Sequence, residues 1–301
     1  MGLDTDIIII NGIIICKILI LIVLIILYLK YNNIDFKVSV IIPTYNRGNL
    51  IIKSIKSVLN QTFKNLEVIV IDDGSSDNTE HLVNKITDKR LKYVKLSSNK
   101  GSSNARNIGI KNANGQFISF QDSDDIFYPN KIEKQLKNII NRNSILDFCK
   151  INVIYNSTYS YLIPNKRQEN SILKGDIFNE LISRGNFIST QSMLIRTNYM
   201  KKHLFDIYMP RLQDYDVILG MIPKVKISYT KEVLVDLHIQ NNSITRSPRK
   251  LKKAINMLLN KKYNFNRIQK NTIFKVFTFL IKTIFQYNKI INLNISILFF
   301  S

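Results

Sequence analysis

Short, mainly apolar runs punctuate the first half of the chain, at Val38–Pro43 (VSVIIP), Leu66–Ile71 (LEVIVI) and Phe117–Phe120 (FISF), with a more polar one at Leu91–Leu96 (LKYVKL). Runs of this length predict strands, buried where the run is apolar throughout. Between them the apolar residues fall at helical spacing: Leu50, Ile51, Ile55, Val58 and Leu59 first, then Thr79–Ile86 and Ser103–Lys111. An Asn-Gly turn at Asn114-Gly115 separates the last of these helices from FISF. Strand and helix in alternation predict an α/β fold, a mostly parallel sheet with helices on both faces. Further on the pattern predicts a helix at Lys131–Asn141, a strand at Ile145–Tyr155 and a short helix at Ile177–Ser183. Tyr159–Asn170 shows no period and reads as a mobile loop.

The two ends differ from the middle. Ile7–Leu29 is almost wholly apolar, and as a helix it would be about 34 Å long, enough to cross a hydrocarbon core. Lys17 near its centre costs roughly 2.5–3.5 kcal/mol in a span, which snorkelling and the surrounding Ile and Leu offset. No small-residue cleavage site follows, so a permanent single-pass anchor is expected rather than a signal peptide. Asp4 and Asp6 before the run and Lys30 and Lys37 after it place the body of the protein on the cytoplasmic side. The net charge of +21 is concentrated at the other end, where residues 237–301 hold twelve Lys or Arg and no acid. Arg249–Arg267 puts Leu251, Ala254, Ile255, Leu258 and Leu259 on one helical face among lysines. A basic amphipathic segment on an anionic membrane surface fits this pattern. The apolar content argues against a nucleic-acid arm, and a helical cover packed on the sheet is a third reading. Cys16 and Cys149 suggest neither a disulfide framework nor a zinc site.

The candidate chemistry sits where the strands stop. Three polar clusters, Thr44-Tyr45-Asn46-Arg47, Asp72-Asp73-Gly74-Ser75-Ser76-Asp77 and Asp122-Ser123-Asp124-Asp125, follow predicted strands. In such sheets ligands lie beyond the carboxyl ends of the strands, so the clusters should face one crevice. Carboxylates crowded at the end of an apolar strand repel one another and are poorly solvated. They suit a hard cation such as Mg²⁺, Mn²⁺ or Ca²⁺. The same letters also spell a polar turn. The sequence holds no G-x-G-x-x-G after a strand and no G-x-x-x-x-G-K-[ST], so hydride transfer on a dinucleotide and P-loop phosphoryl transfer lack their usual support.

VSVIIPTYNR, VIVIDDGSSDNT, NKGSSNARNIGIKNANGQFISFQDSDD and the later QDYD together resemble the family 2 glycosyltransferases, in order from about Val38 to Thr245. The resemblance implies an inverting hexosyltransferase-type enzyme with a GT-A fold and a Rossmann-like sheet, using a nucleotide-sugar donor, with UDP-sugars the commonest. It implies that Pro43, Thr44 and Tyr45 line the nucleobase pocket, that Asp73 accepts hydrogen bonds from the base, and that Asp72 supports the turn. Gly74 would supply a positive φ, and Asp77 would cap the next helix. Arg106 would approach the base or diphosphate, with Asn107 and Gly109 structural. Asp122 and Ser123 would face the ribose and metal region, Asp124 would bind Mn²⁺ or Mg²⁺, and Asp125 would begin the next turn. FISTQSMLI (Phe187–Ile195) resembles the strand that returns below the acceptor site. Asp214 matches the general base, with Gln213 in place of the usual Glu and Asp216 as runner-up. His238 would complete the metal shell or touch phosphate, helped by Ser243 and Thr245.

The expected organisation is an anchor and linker over residues 1–36 and a GT-A domain over 37–245. Within that domain, 37–125 would bind the nucleotide sugar and 126–245 would serve the acceptor, with a basic tail over 246–301. Expected partners are the donor, a glycan, lipid-linked or protein acceptor, and the membrane, but not nucleic acid. The competing reading is a GT-A-like module that binds sugar nucleotides or glycans without turnover.

Overall fold

The computed structural model describes residues 21–22, 36–155, 159–175, 177–221, 225–239, 248–261, 272 and 275. The chain divides into two units, residues 1–36 and 37–301. Of the first, Leu21 and Ile22 are helical; the rest of the expected span Ile7–Leu29 lies outside the described residues. Among the described residues no helix is long and apolar enough to cross a membrane.

The second unit is built on a nine-stranded sheet of order Leu91–Lys95, Leu66–Asp72, Val38–Thr44, Phe117–Phe120, Met193–Arg196, Leu146–Ile154, Ile227–His238, Ile126–Phe127, with Ser160–Ile163 paired to Leu146–Ile154. Its first half is β1 (Val38–Thr44), β2 (Leu66–Asp72), β3 (Leu91–Lys95) and β4 (Phe117–Phe120), all parallel. Every residue of β1, β2 and β4 is buried, which is why these strands read as continuous apolar runs. Helices α1 (Gly48–Leu59), α2 (Thr79–Asn84) and α3 (Ser102–Asn112) make the crossovers. Close packing of α3 on β1 requires Gly109, because a Cβ there would stand 2.4 Å from Ile41 Cγ2.

The second half corrects the expectation of a mostly parallel sheet. It contains β5 (Ile126–Phe127), α4 (Lys131–Asn141), β6 (Leu146–Ile154), β7 (Ser160–Ile163), α5 (Lys166–Leu173), α6 (Ile177–Arg184), β8 (Met193–Arg196), α7 (Thr197–Met200), α8 (Gln213–Met221), β9 (Ile227–His238) and α9 (Pro248–Asn260). Strand β8 runs antiparallel between β4 and β6, β5 runs antiparallel to β9, and β7 to β6. The sheet is therefore mixed. Because β6 opposes β8 and β9 parallels β6, both point the same way as β1 to β4 and end at the same edge.

Three other expectations change. Tyr159–Asn170 holds the edge strand β7 and the start of α5, whose capping box pairs Asn165 and Gln168. Phe187–Ile195 is strand only from Met193, since Thr190–Ser192 form a 3₁₀ turn. The apolar face of α9 is not a membrane face. Leu251, Ala254, Ile255 and Leu258 are buried in the main core with Ile218, Leu219 and Met221 of α8. The tail beyond Lys261, apart from Thr272 and Lys275, lies outside the described residues.

Candidate active site

The turns after β1 and β2 are stapled to each other before they could meet any ligand. Asn46, at φ 51°, donates its N–H to Ser75 Oγ at 2.8 Å, and its Oδ1 accepts from the Ser76 N–H at 2.9 Å. Gly74 takes the expected positive φ, +81°, and a Cβ there would stand 3.0 Å from Ser98 Cα. Asp77 acts as expected on the next helix, accepting from the Thr79 N–H at 3.0 Å, and also accepts from the Gly48 N–H at 3.1 Å. It thereby holds the first turns of both α1 and α2. Asp72 accepts from the Ser75 N–H at 2.7 Å, which supports the turn, and through its other oxygen from the Tyr93 hydroxyl of β3. Asp73 receives the N–H groups of Lys100 at 2.9 Å and Gly101 at 2.7 Å, which ties the end of β2 to the start of α3. Each Asp73 oxygen keeps a second lone pair for a base. Pro43 is the penultimate residue of β1, past its last pair with β4, Ile41 with Phe120. Thr44 beside it is buried with its hydroxyl unpartnered, while Tyr45 is exposed.

The loop after β4 is a hydrogen-bonded turn, the Asp125 N–H donating to Asp122 O at 3.2 Å, and Ser54 of α1 anchors it through the same carbonyl at 2.9 Å. Arg106, on the face of α3 turned to this loop, is buried. Its Nη2 donates to Asp122 Oδ1 at 2.7 Å, its guanidinium lies 5.6 Å from the Phe205 ring centre, and its Nε is buried without a partner. Asn107 is committed to the fold, exchanging hydrogen bonds with the Phe205 backbone at 2.8 and 2.9 Å. Ser123 is buried in the loop. Burial and the neighbouring Asp122 hold Asp124 above the usual carboxylate range, with Arg47 and His238 pulling the other way.

Asp125, expected only to begin a turn, is the most enclosed acid of the cluster at 1% exposed. It accepts from the His238 N–H at 2.8 Å and from Gln191 Nε2 at 2.7 Å, and burial together with Asp122 and Asp124 raises it well above the ordinary carboxylate range. His238 closes β9 at this edge, its Nδ1 buried and unpartnered. Ser243 and Thr245 lie outside the described residues.

Asp214 sits in the first turn of α8 and accepts from the Tyr215 N–H at 2.8 Å. Burial raises its pKa, and it is near enough to Arg106 and Asp122 to feel both charges, Arg106 lowering and Asp122 raising it. Asp216, the runner-up, is paired with Lys261 at 2.6 Å, and Lys261 also holds Asp206 at 2.7 Å. That clamp fastens the end of α9 to α8. The structure thus brings Arg106, Asp122, Asp124, Asp125, His238 and Asp214 into one neighbourhood.

Gln191 was missed in the sequence. Its signal is slight, a lone long amide in the apolar stretch FISTQSMLI, and only the fold shows that it bridges Asp122 and Asp125. Among the described residues no group of three or more His, Cys, Asp or Glu is arranged to hold a metal ion.

A mixed sheet of this order, with acids and a buried arginine gathered at its carboxyl edge, is a GT-A-like α/β arrangement. Residues 39–204 match the family described as glycosyl transferase family 2, and the chain belongs to that family. It is 33% identical over 225 residues to the uncharacterized glycosyltransferase RT0329 of Rickettsia typhi, covering 73% of this chain and 69% of that one. It is 40% identical over 142 residues to WfgD of Escherichia coli, a UDP-Glc:alpha-D-GlcNAc-diphosphoundecaprenol beta-1,3-glucosyltransferase, covering 46% of this chain and 56% of WfgD. The fold is similar to S. aureus TarS 1-349 in complex with UDP-GlcNAc, with a TM-score of 0.65 at 21% identity, over 80% of this chain and 71% of that one.

Proposed function

We propose that this glycosyltransferase moves a sugar from a UDP-sugar to a hydroxyl acceptor with inversion at the anomeric carbon. The observation that carries the reading is the position of Asp214, with its raised pKa, beside the Arg106–Asp122 pair at the carboxyl edge. An acid whose pKa is raised is a better proton acceptor once ionised. Asp214 takes the proton from the acceptor hydroxyl as that oxygen attacks the face opposite the leaving group. Inversion follows from the single displacement. Arg106 balances negative charge as the nucleoside diphosphate departs, a preorganised cation in a dry setting. Asp73 and the unpartnered Thr44 hydroxyl serve the base, and Asp122 with Ser123 the ribose and diphosphate region.

The residues fit a divalent cation such as Mn²⁺ or Mg²⁺. Asp124 is an acid held under repulsion from Asp122, and the buried His238 Nδ1 has no partner. When bound, such an ion offsets the charge of the departing diphosphate. Fewer than three protein ligands are consistent with a site completed by phosphate oxygens and water. The likeness to WfgD supports a lipid-linked glycan as acceptor, the apolar Ile7–Leu29 supports a single-pass anchor, and Asp4 and Asp6 before it with Lys30 and Lys37 after it support a catalytic domain facing the cytoplasm.

The test is release of nucleoside diphosphate from UDP-, GDP-, CMP- and dTDP-sugars with MnCl₂, with and without a GlcNAc-diphospholipid acceptor. UDP release that depends on acceptor is expected. Asp124→Ala should abolish it with an unchanged circular dichroism spectrum; a fully active Asp124→Ala variant would remove the metal role. Deleting residues 1–33 should move the protein from the membrane to the soluble fraction.

A further inference from the structure

Gln191 lies in the 3₁₀ turn Thr190–Ser192 that leads into β8, and it is 6% exposed. Strand β8 is antiparallel to β4, so its beginning meets the end of β4, where the acidic loop starts. From there Gln191 Nε2 donates to Asp122 Oδ2 at 2.6 Å and to Asp125 Oδ2 at 2.7 Å. The orientation of the amide is set by Asp122, whose carboxylate also accepts from Arg106 and would repel an Oε1 turned toward it.

The two bonds complete a chain across the site. Arg106 Nη2 donates to Asp122 Oδ1 at 2.7 Å, Gln191 joins Asp122 to Asp125, and Asp125 Oδ1 receives the His238 N–H at 2.8 Å. Helix α3, the loop after β4, the turn before β8 and the end of β9 are thereby linked through one amide. A neutral double donor suits this position for an electrostatic reason. Lysine or arginine would also hold the two acids, but would cancel negative charge that a divalent cation needs beside Asp124. With no donor, Asp122 and Asp125 would face each other with nothing between them, and Asp122 would be restrained by Arg106 alone.

We propose that Gln191 is a positioning residue for sugar transfer, fixing the Asp122 carboxylate between Arg106 and Asp125 and registering the His238 end of β9 to the same loop. The proposal rests on the sugar-transfer reading above. Gln191 touches no reacting atom; it acts through Asp122 and Asp125.

The test uses the full chain and UDP with MnCl₂ as the probe, read by titration calorimetry, together with kcat and KM for UDP release and the thermal midpoint. Gln191→Met keeps the length and removes both donors. UDP affinity in MnCl₂ should fall about tenfold, kcat should fall as well, and UDP affinity without metal should hardly change. Gln191→Asn, which withdraws the amide by one methylene, should move in the same direction by a few-fold, and it serves if the Met variant does not fold. Ser192→Ala is the control, since Ser192 Oγ donates to Ser189 O at 2.7 Å and loosens the same turn without touching either acid. It should lower the midpoint and leave UDP affinity intact. Gln191 variants that melt earlier yet bind UDP and MnCl₂ and turn over like wild type would reduce Gln191 to a structural residue and overturn the proposal alone. A wild-type protein that binds none of UDP, GDP, CMP or dTDP with MnCl₂ would overturn the sugar-transfer reading and this proposal with it.

Discussion

At the scale of single residues the acids of this chain divide by what their partners do to them. Asp214 is raised chiefly by burial, and among the described residues its carboxylate accepts from the neighbouring Tyr215 N–H, which leaves it available as a base. Asp214→Asn should lower kcat by about 10²- to 10⁴-fold, the span of general-base catalysis, while KM for the donor stays within about twofold. Steady-state kinetics check this, and a raised KM with kcat unchanged would point to donor binding instead. Glu67 is the opposite case, at the other end of the strands. Burial alone would raise it, but hydrogen bonds from Lys92, Ser39 and Asn114 with the nearby Lys37 outweigh that and lower it from 4.5 to about 2. A depressed acid stabilises the fold above its unfolded pKa, and the gain is lost as pH falls from about 4.5 through about 2. The shift corresponds to on the order of 3 kcal/mol at neutral pH. Glu67→Gln should therefore weaken the protein at pH 7 by about 2–3 kcal/mol and flatten the acid limb of its stability curve, measured by urea unfolding from pH 7 to 2. Of these two roles, that of Asp214 could be reached from the sequence through the family pattern. Glu67 has no motif, since its partners are separated from it by up to 47 residues.

At the scale of elements, what could be read from the sequence follows burial. Strands β1, β2 and β4 are enclosed on both faces and helices α1 and α4 on one, so their periods were plain. Strand β7 was not, because three of its four residues are exposed at the sheet edge and no alternation survives. Strand β9 is interrupted by Lys231 and Glu232, which are exposed where its pairing with β6 shifts register, and the sequence placed no element there. The α3–β1 contact depends on one missing side chain. Gly109→Ala should gain about 1 kcal/mol of helix propensity and lose about 1–3 kcal/mol to overpacking against Ile41, a net loss of up to about 2 kcal/mol. The same substitution in an Ile41→Ala background should cost less. A double-mutant cycle measures that coupling, and strict additivity would mean that α3 shifts rather than collides. Because Arg106 and Asn107 lie on the same helix, a shift would also show as a raised KM for the donor.

For the whole molecule, the main revision concerns the carboxyl-terminal helix. Sequence alone could not separate an amphipathic helix on a membrane from one covering a core, because both need the same apolar stripe with basic flanks. Tertiary contacts separate them here. Leu258 is 2% exposed in a core shared with α8, and Lys261 at the end of the helix holds both Asp206 and Asp216. The helix that carries the proposed base is thus braced from behind by a segment outside residues 39–204, the stretch matched to the family. Leu258→Asp removes a buried apolar side chain and inserts a charge without a partner. It should cost at least about 3 kcal/mol, lower the thermal midpoint by several degrees and reduce kcat as α8 loosens. Lys252→Asp, on the exposed side of the same helix, should stay within about 0.5 kcal/mol of wild type. A helix lying on anionic lipid would give the reverse order for vesicle binding, the lysine mattering through surface charge. Measuring midpoints in buffer and co-sedimentation with phosphatidylserine vesicles on the same two variants decides between core cover and membrane surface for α9. It does so independently of any attachment through residues 1–36.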